Sequence, residues 1–388
     1  MANLDFETGL AAGQDRPRRT LGKPAVQAAI RAGSLLRALA CDGDTVWLPG
    51  SPDRVLFPPV PGLPAIEFAH GRLPGTWNGP VLAWGETAAT ATLGDGIPGR
   101  EPGSSPALDA LLSAPRPTPP AALYANSKAL LEPLRAGLGC SLPGSGIAST
   151  VGDLIRLVEK AGRIHSGPWG WVLKGEFGAA GRERLSGAGD ADLDPAVLEA
   201  AARMFRRNGK CLFEPWLRRI SDFGCSLLIG GDQARLAGVH RLLVSSAGRF
   251  QGVETSFHGL ATPGPIGPGP FEEYLTAGAA ARMAGVAAGT AAALRRAGYR
   301  GHVGIDFFRH LDSEGGERLH PLGEINARLT FGLVAAVLAQ RVGTALGTEP
   351  GTRFLLSFEQ ENLGLKGRRL GLVEDRETGS PVVTLFVS

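Results

Sequence analysis

Cysteine is scarce and scattered. Cys41, Cys140, Cys211 and Cys225 include no CxxC pair, which excludes a disulfide framework, argues against a zinc cluster and predicts free thiols in the cytoplasm. Net charge is also small. The chain has 40 Lys and Arg against 37 Asp and Glu, a balance of +3, too little for a broad polyanion-binding surface, so no nucleic-acid partner is expected. No window of about 18 apolar residues is free of charge, so no membrane partner is expected. The apolar stretch Ala277–Leu294 is interrupted by Arg282 and is mostly Ala and Gly, so it reads as a helix of a soluble protein. Met1–Glu7 has no basic start followed by an apolar segment, so no signal peptide is expected. Lysine is rare, with six in the chain. Where this chain needs only a positive charge it usually carries Arg, so each Lys stands out as a compact point charge where a flat guanidinium would not serve.

The chain has enough apolar residues for a large core: 43% of 388 residues. Its 56 glycines and 29 prolines show no Gly-X-Y period, which means many turns rather than a collagen-like or disordered chain. No repeat is present. The fold class expected is α/β (α+β). Residues 1–120 form a small N-terminal α/β domain ending in a Pro/Gly-rich linker, 96–120. Residues 121–209 form a central lobe, and residues 210–388 a C-terminal lobe. Helices are expected at Pro24–Ala40, Ser127–Leu138 (with Asn126 or Ser127 as N-cap), Val151–Ala161, Asp194–Gly209 and Phe271–Ala297. Strands are expected at Val46–Leu48, Val81–Trp84, Trp169–Lys174, Cys211–Leu217, Gly224–Ile229, His240–Ser245, around Val303–Phe308, and Leu319–Leu329.

Two motif matches mislead. Gly94-Asp95-Gly96-Ile97-Pro98-Gly99 fits G-x-G-x-x-G, but Pro98, Pro102 and Gly103 forbid the helix a dinucleotide site needs. Asp222-Phe223-Gly224 spells a kinase metal motif, but His240-Arg241 is followed by Leu242, so no catalytic loop accompanies it.

The informative residues lie elsewhere. Side chains alternate along a strand, so Glu324, Asn326 and Arg328 share one face while Ile325, Ala327 and Leu329 face the core. Folding the hairpin symmetrically about Gly315 puts Asp306 directly opposite Glu324. Opposed carboxylates are destabilising unless a cation sits between them. Mg²⁺ fits, because it takes one or two carboxylates plus phosphate oxygens and water. Earlier in the chain, the apolar strand Trp171–Leu173 ends in Lys174. Gly175, Gly178 and Gly181 then form a loop whose backbone N–H groups are able to approach a phosphate. Leu212-Phe213-Glu214-Pro215-Trp216-Leu217 is an apolar strand with one acid, interrupted where Pro215 has no ladder donor. Such a strand end suits the flat edge of a purine.

In this order, Lys128, Lys174 before the Gly-rich loop, the acidic hinge at Glu214, Asp306 and the Glu324-x-Asn326-x-Arg328 strand resemble the ATP-grasp superfamily over residues 120–335. The resemblance implies two α+β lobes gripping ATP. Lys128, Lys174 and the Gly175–Gly181 loop would hold the phosphates. Glu214 would meet the adenine amino group, the Pro215 carbonyl and Leu217 N–H the purine edge, and Asp222 the ribose. Asp306, Glu324 and Asn326 would bind one or two Mg²⁺ ions. Arg328 and Lys174 would be catalytic. It further implies a carboxylate–amine ligase, forming an amide or peptide bond, that activates the acid as an acyl phosphate and releases ADP and phosphate. The partners are then a small carboxylate and an amine, such as an amino acid or peptide, and a homodimer is left open. Arg241 and His258 are the substrate-side candidates, and the Trp84-Gly85-Glu86-Thr87 turn is expected to face the cleft. An ATP-dependent kinase or carboxylase on the same fold, or a non-catalytic nucleotide-binding protein, are the alternatives.

Overall fold

A computed structural model describes the chain apart from residues 5, 7–8, 11–21, 72–80, 94–108, 110–113, 166–168, 179–182, 190–192, 246–247, 258–262 and 359–366. Most of linker 96–120 and the Gly94–Gly99 motif lie outside the described residues.

The chain is a mixed α/β protein. Its N-terminal part holds helix α1 (Lys23–Gly33), which tightens into a 3₁₀ turn at Ser34–Leu39. Strands β1 (Thr45–Leu48), β2 (Val55–Leu56) and β3 (Glu67–His70) follow. Strands β1 and β3 pair in parallel. Val81–Trp84, expected as a strand, has no ladder partner among the described residues. Instead the Trp84 carbonyl accepts from Leu329 N–H at 2.9 Å.

Helix α2 (Pro119–Asn126) comes next, then a 3₁₀ turn Lys128–Leu130 and helix α3 (Leu131–Gly137). Asn126 therefore ends one helix rather than capping the next. Ser127 is extended and is the N-cap, so the helix expected at 127–138 runs from Lys128 to Gly137 with its first turn 3₁₀. Strand β4 (Gly146–Ala148), helix α4 (Val151–Ile164), strands β5 (Gly170–Gly175) and β6 (Arg184–Ala188), helix α5 (Pro195–Asn208) and strand β7 (Cys211–Trp216) form a small lobe. Its four-stranded antiparallel sheet runs β4-β7-β5-β6. Helix α5 starts where Asp194 accepts from Val197 N–H at 2.8 Å and Pro195 presets the first turn. Since β7 pairs with β4 and β5, the small sheet ends after Trp216, not at the expected boundary of 209.

The large sheet is built from β8 (Arg218–Ile229), β9 (Ala234–Val244), β10 (Phe250–Ser256), β11 (Gly301–Leu311), β12 (Glu317–Asn326), β13 (Arg353–Ser357), β14 (Arg368–Asp375) and β15 (Pro381–Val387), with β2 at one edge. Helix α6 (Ala277–Arg296) follows a short turn at Gly269–Glu272, because extended Thr276 interrupts the longer helix expected. Its Ala280, Met283, Ala287, Ala291 and Leu294 recur at helical spacing and pack with Phe223, Ile305, Phe307 and Ile325. Helix α7 (Phe331–Leu346) belongs to the other core, its Leu333, Val334, Val337 and Val342 clustering with Val253, Phe354, Leu356 and Leu385. The N-terminal residues Phe6, Ile30, Leu35, Val46 and Leu48 belong to that same cluster. The N-terminal part thus shares a core with the C-terminal strands and is not a separately packed domain.

Candidate active site

Two strand pairings, one in each sheet, build the site. In the small sheet Val172 lies opposite Glu214 and Lys174 opposite Leu212. Lys174 and Glu214 are therefore diagonal neighbours on one face, while Trp171, Leu173 and Phe213 fill the core on the other. Lys174 Nζ ion-pairs with Glu214 Oε2, and Arg135 Nη1 reaches Oε1 at 2.7 Å. Burial alone would raise the Glu214 carboxyl, but the charges of Lys174 and Arg135 overcome it and hold the group far below the usual carboxylate range. Both oxygens are taken by cations. In this geometry the side chain holds Lys174 in place.

In the large sheet Asp306 lies directly opposite Glu324. The outer hairpin, from Leu311 opposite Glu317 to Phe308 opposite His320, is centred on Glu314. A bulge between Asp306 and Phe308 moves the centre to Gly315 at the site. Gly315 itself takes φ +82°, a conformation that glycine adopts without strain. Burial first, then the opposing Glu324 charge, push the Asp306 carboxyl up to about 7. Glu324 goes the other way: burial opposes its ionisation, but Lys128 and Lys174 outweigh it and hold the group down. Lys128 Nζ is 2.8 Å from Glu324 Oε1 and donates to the Gly178 carbonyl at 2.6 Å. Lys128 N–H also donates to the Glu176 carbonyl at 3.1 Å, and Ser127 Oγ to Glu176 Oε1 at 2.7 Å. The loop after β5 is thereby fastened to the carboxylate strand.

Asn326 Nδ2 donates to Asp306 Oδ2 at 3.0 Å, and Asn326 Oδ1 accepts from Arg328 Nη2 at 3.0 Å. The Arg328 guanidinium lies 5.5 Å from the Trp84 ring and 5.8 Å from Phe6. Trp84 therefore meets the site as expected, whereas Glu86 is buried and taken by Arg116 at 2.8 Å. Asp222 pairs with Arg219 at 2.8 Å and sits opposite Phe308, beside Asp306.

Several expected residues stand differently. The Gly175 N–H donates to the Glu183 carbonyl at 2.9 Å, and a Cβ at Gly175 would meet Asn208 at 2.9 Å. That glycine is required by packing and its amide is already used, which corrects its expected phosphate role. Gly178 N–H closes a turn onto the Gly175 carbonyl at 3.3 Å. Gly181 and His258 lie outside the described residues. Pro215 does not interrupt the strand as expected: it pairs with Trp171 on the β5 side, only the β4 ladder stops short of it at Phe213, and Leu217 joins the two sheets. Arg241 lies opposite Phe223, whose ring packs in the α6 core. Register places Arg241 on the face away from Asp306, and the structure does not bring it to the site.

Two site residues escaped the sequence. Arg135 is fully buried and donates to the Leu322 and Gly323 carbonyls at 2.7 and 2.8 Å, just before Glu324. Its one signal is Glu132 three residues earlier, 3.6 Å away on the same helix face. Asn126 fixes the strand end: its Oδ1 accepts from Ala327 N–H at 3.0 Å and its Nδ2 donates to the Ala327 carbonyl at 3.2 Å.

The donor set fits Mg²⁺. It offers oxygen ligands only, and the opposed Asp306–Glu324 pair has the raised carboxyl that a cation between them would relieve. Two carboxylates and an amide fill only part of a six-oxygen shell, leaving the rest to phosphate oxygens and water.

No family model and no curated protein matches the sequence. Among solved structures, the chain is similar to a biotin carboxylase–βγ-ATP complex from Campylobacter jejuni, at TM-score 0.47 and 14% identity over 70% of this chain and 64% of that one. It is similar to an N5-carboxyaminoimidazole synthetase from Staphylococcus aureus complexed with ADP, at TM-score 0.43 and 11% identity over 70% of each chain. It is also similar to a D-alanyl-alanine synthetase A from Vibrio cholerae, at TM-score 0.39 and 12% identity over 60% of this chain and 68% of that one. The match thus spans under two thirds of the biotin carboxylase. Among the described residues no helix is long and apolar enough to cross a membrane.

Proposed function

We propose that the chain is an Mg²⁺-dependent carboxylate–amine ligase of the ATP-grasp type. The observation that carries the reading is the meeting of Asp306 and Glu324, directly opposed, with Lys128 from the turn before α3 and Lys174 from the small sheet acting on the same carboxylate. Such a cluster suits a triphosphate: its carboxylates and Asn326 would hold the metal, and the two ammonium groups would neutralise phosphate charge. Mg²⁺, when bound, supplies charge neutralisation of the transferring phosphoryl group.

The residues' own roles follow from their positions. Lys174, held by Glu214, meets the phosphates from the small sheet. Lys128, held against Glu324, meets them beside the loop at Gly178. The purine edge would lie along the Pro215 carbonyl and Leu217 N–H, with Asp222 toward the ribose. Arg328 would steady the γ-phosphoryl group as an oxygen of the substrate carboxylate attacks phosphorus and the bond to ADP breaks. The amine nitrogen then attacks the acyl carbon, phosphate leaves with the C–O electron pair, and the nitrogen loses a proton. The two lobes supply positioning and exclude water.

Phosphate release from ATP and Mg²⁺ with pooled acids and amines, followed by mass spectrometry, tests this. An amide with stoichiometric ADP and phosphate is expected. A stable phosphorylated or carboxylated product, or no substrate-dependent release, contradicts it.

A further inference from the structure

The two halves of the β11–β12 hairpin do not share one register. In the outer half Leu311 lies opposite Glu317 and Phe308 opposite His320. Continued inward, that register would set Asp306 against Leu322 and Glu324 against Gly304. Asp306 instead lies opposite Glu324. Between these pairs β11 passes through Phe307 alone, while β12 passes through Pro321, Leu322 and Gly323. The added residues are even in number, so Glu324 keeps its face of the sheet and only its partner changes. The opposition of the two carboxylates is therefore made by the bulge.

A bulge disrupts the ladder, and buried backbone groups that lose their partners there need others. Leu322 and Gly323 are buried, and their carbonyls are the ones Arg135 takes. Its Nε donates to Leu322 at 2.7 Å and its Nη2 to Gly323 at 2.8 Å. The third corner of the guanidinium, Nη1, lies 2.7 Å from Glu214 Oε1, and Glu214 holds Lys174. The strands are close at this point, since a Cβ on Gly323 would stand 3.0 Å from the Asp306 carbonyl. One fully buried side chain of α3 thus joins the bulge in the large sheet to the Lys174–Glu214 pair in the small one. A rigid planar fork spans three such acceptors in fixed directions, which the point charge of an ammonium does not.

We propose that Arg135 is a positioning residue for the metal–triphosphate site: it fills the carbonyls at the β12 bulge, anchors them to Glu214, and so fixes the register that sets Glu324 opposite Asp306. The role rests on the ligase reading above.

Calorimetric titration of the full chain with ATP, in Mg²⁺ and separately in Ca²⁺, compares the parent protein with Arg135→Lys, which keeps a charge facing Glu214. Mg²⁺ demands a near-ideal octahedron, whereas Ca²⁺ accepts irregular shells with longer bonds. A displaced Glu324 is therefore expected to weaken ATP binding at least about tenfold with Mg²⁺ and less than about threefold with Ca²⁺. A residue that only stabilises the fold would not move that ratio. If Arg135→Lys does not fold, Arg135→Met combined with Glu214→Gln leaves neither partner as a buried unpaired charge. Compared with Glu214→Gln alone, it is expected to show the same shift in metal preference. Equal losses with the two metals, or no loss with Mg²⁺, overturn the positioning role and leave the ligase reading standing. A parent protein that binds ATP with neither metal overturns both.

Discussion

At the site Lys174 and Arg135 are matched to Glu214 and Lys128 to Glu324, and the two carboxylates that face each other, Asp306 and Glu324, are left in conflict. Glu214 is satisfied twice, by Arg135 and Lys174. Glu214→Gln would leave a buried guanidinium facing a neutral amide, a change that costs about 3 kcal/mol or more. Denaturant unfolding at pH 7 is expected to show that loss, and ATP KM to rise. The pH dependence has a definite sign. Because the folded Glu214 carboxyl is depressed, its stabilisation is present above its ordinary value of 4.5 and is lost as pH falls below that. The parent protein should therefore lose stability more steeply than Glu214→Gln between about pH 5 and 3. Asp306 behaves in the opposite way. Its folded carboxyl is raised from 3.8 to about 7, so without metal it makes the fold less stable as pH rises through that window. Asp306→Asn is expected to raise the melting temperature at pH 8 in chelator, by an effect on the order of 1 kcal/mol, while losing Mg²⁺–ATP binding. A lower melting temperature there would show that the opposed pair carries no strain.

At the level of elements, the β11–β12 hairpin is held in place by α2. Asn126 ends α2 and clamps Ala327, the residue before Arg328, by both backbone groups. Asn126→Ala leaves those groups buried and unpaired, at about 1–3 kcal/mol. Activity should fall with stability, measured by chemical denaturation and phosphate release on the same preparation. The hairpin was legible because its alternation and Gly315 fix which side chains oppose. The bulge that shifts its outer half was only partly legible: Pro321, which has no ladder donor, marks an irregular position but not how many residues it adds. Helix α5 was legible from Asp194-Pro195 and Gly209, which carry their own cap chemistry. Arg135 was not: a lone Arg beside Pro133 reads as a surface residue, and only the return of β12 to α3 buries it. Gly175 misled for a similar reason, because its partner Asn208 is more than thirty positions away and sequence spacing does not report that approach.

For the whole molecule, the largest departure from expectation is the shared core. Phe6, Ile30, Leu35 and Leu48 cluster with Leu333, Val337, Phe354 and Leu385, and Val55–Leu56 extends the large sheet at β14. A fragment of residues 121–388 would expose that surface, so it is expected to aggregate or to lack a cooperative thermal transition; a well-folded fragment would mean that the two parts pack independently. The same arrangement brings Trp84 to Arg328, so the N-terminal part contributes to the cleft as well as to stability. The central claim is that Asp306 and Glu324, with Lys128 and Lys174, bind a metal–triphosphate. Calorimetric titration of the full chain with ATP and Mg²⁺, repeated on Lys174→Ala and Glu324→Gln, tests it most directly. Binding that requires Mg²⁺ and weakens at least about tenfold in each variant is predicted; equal affinity in all three proteins contradicts it.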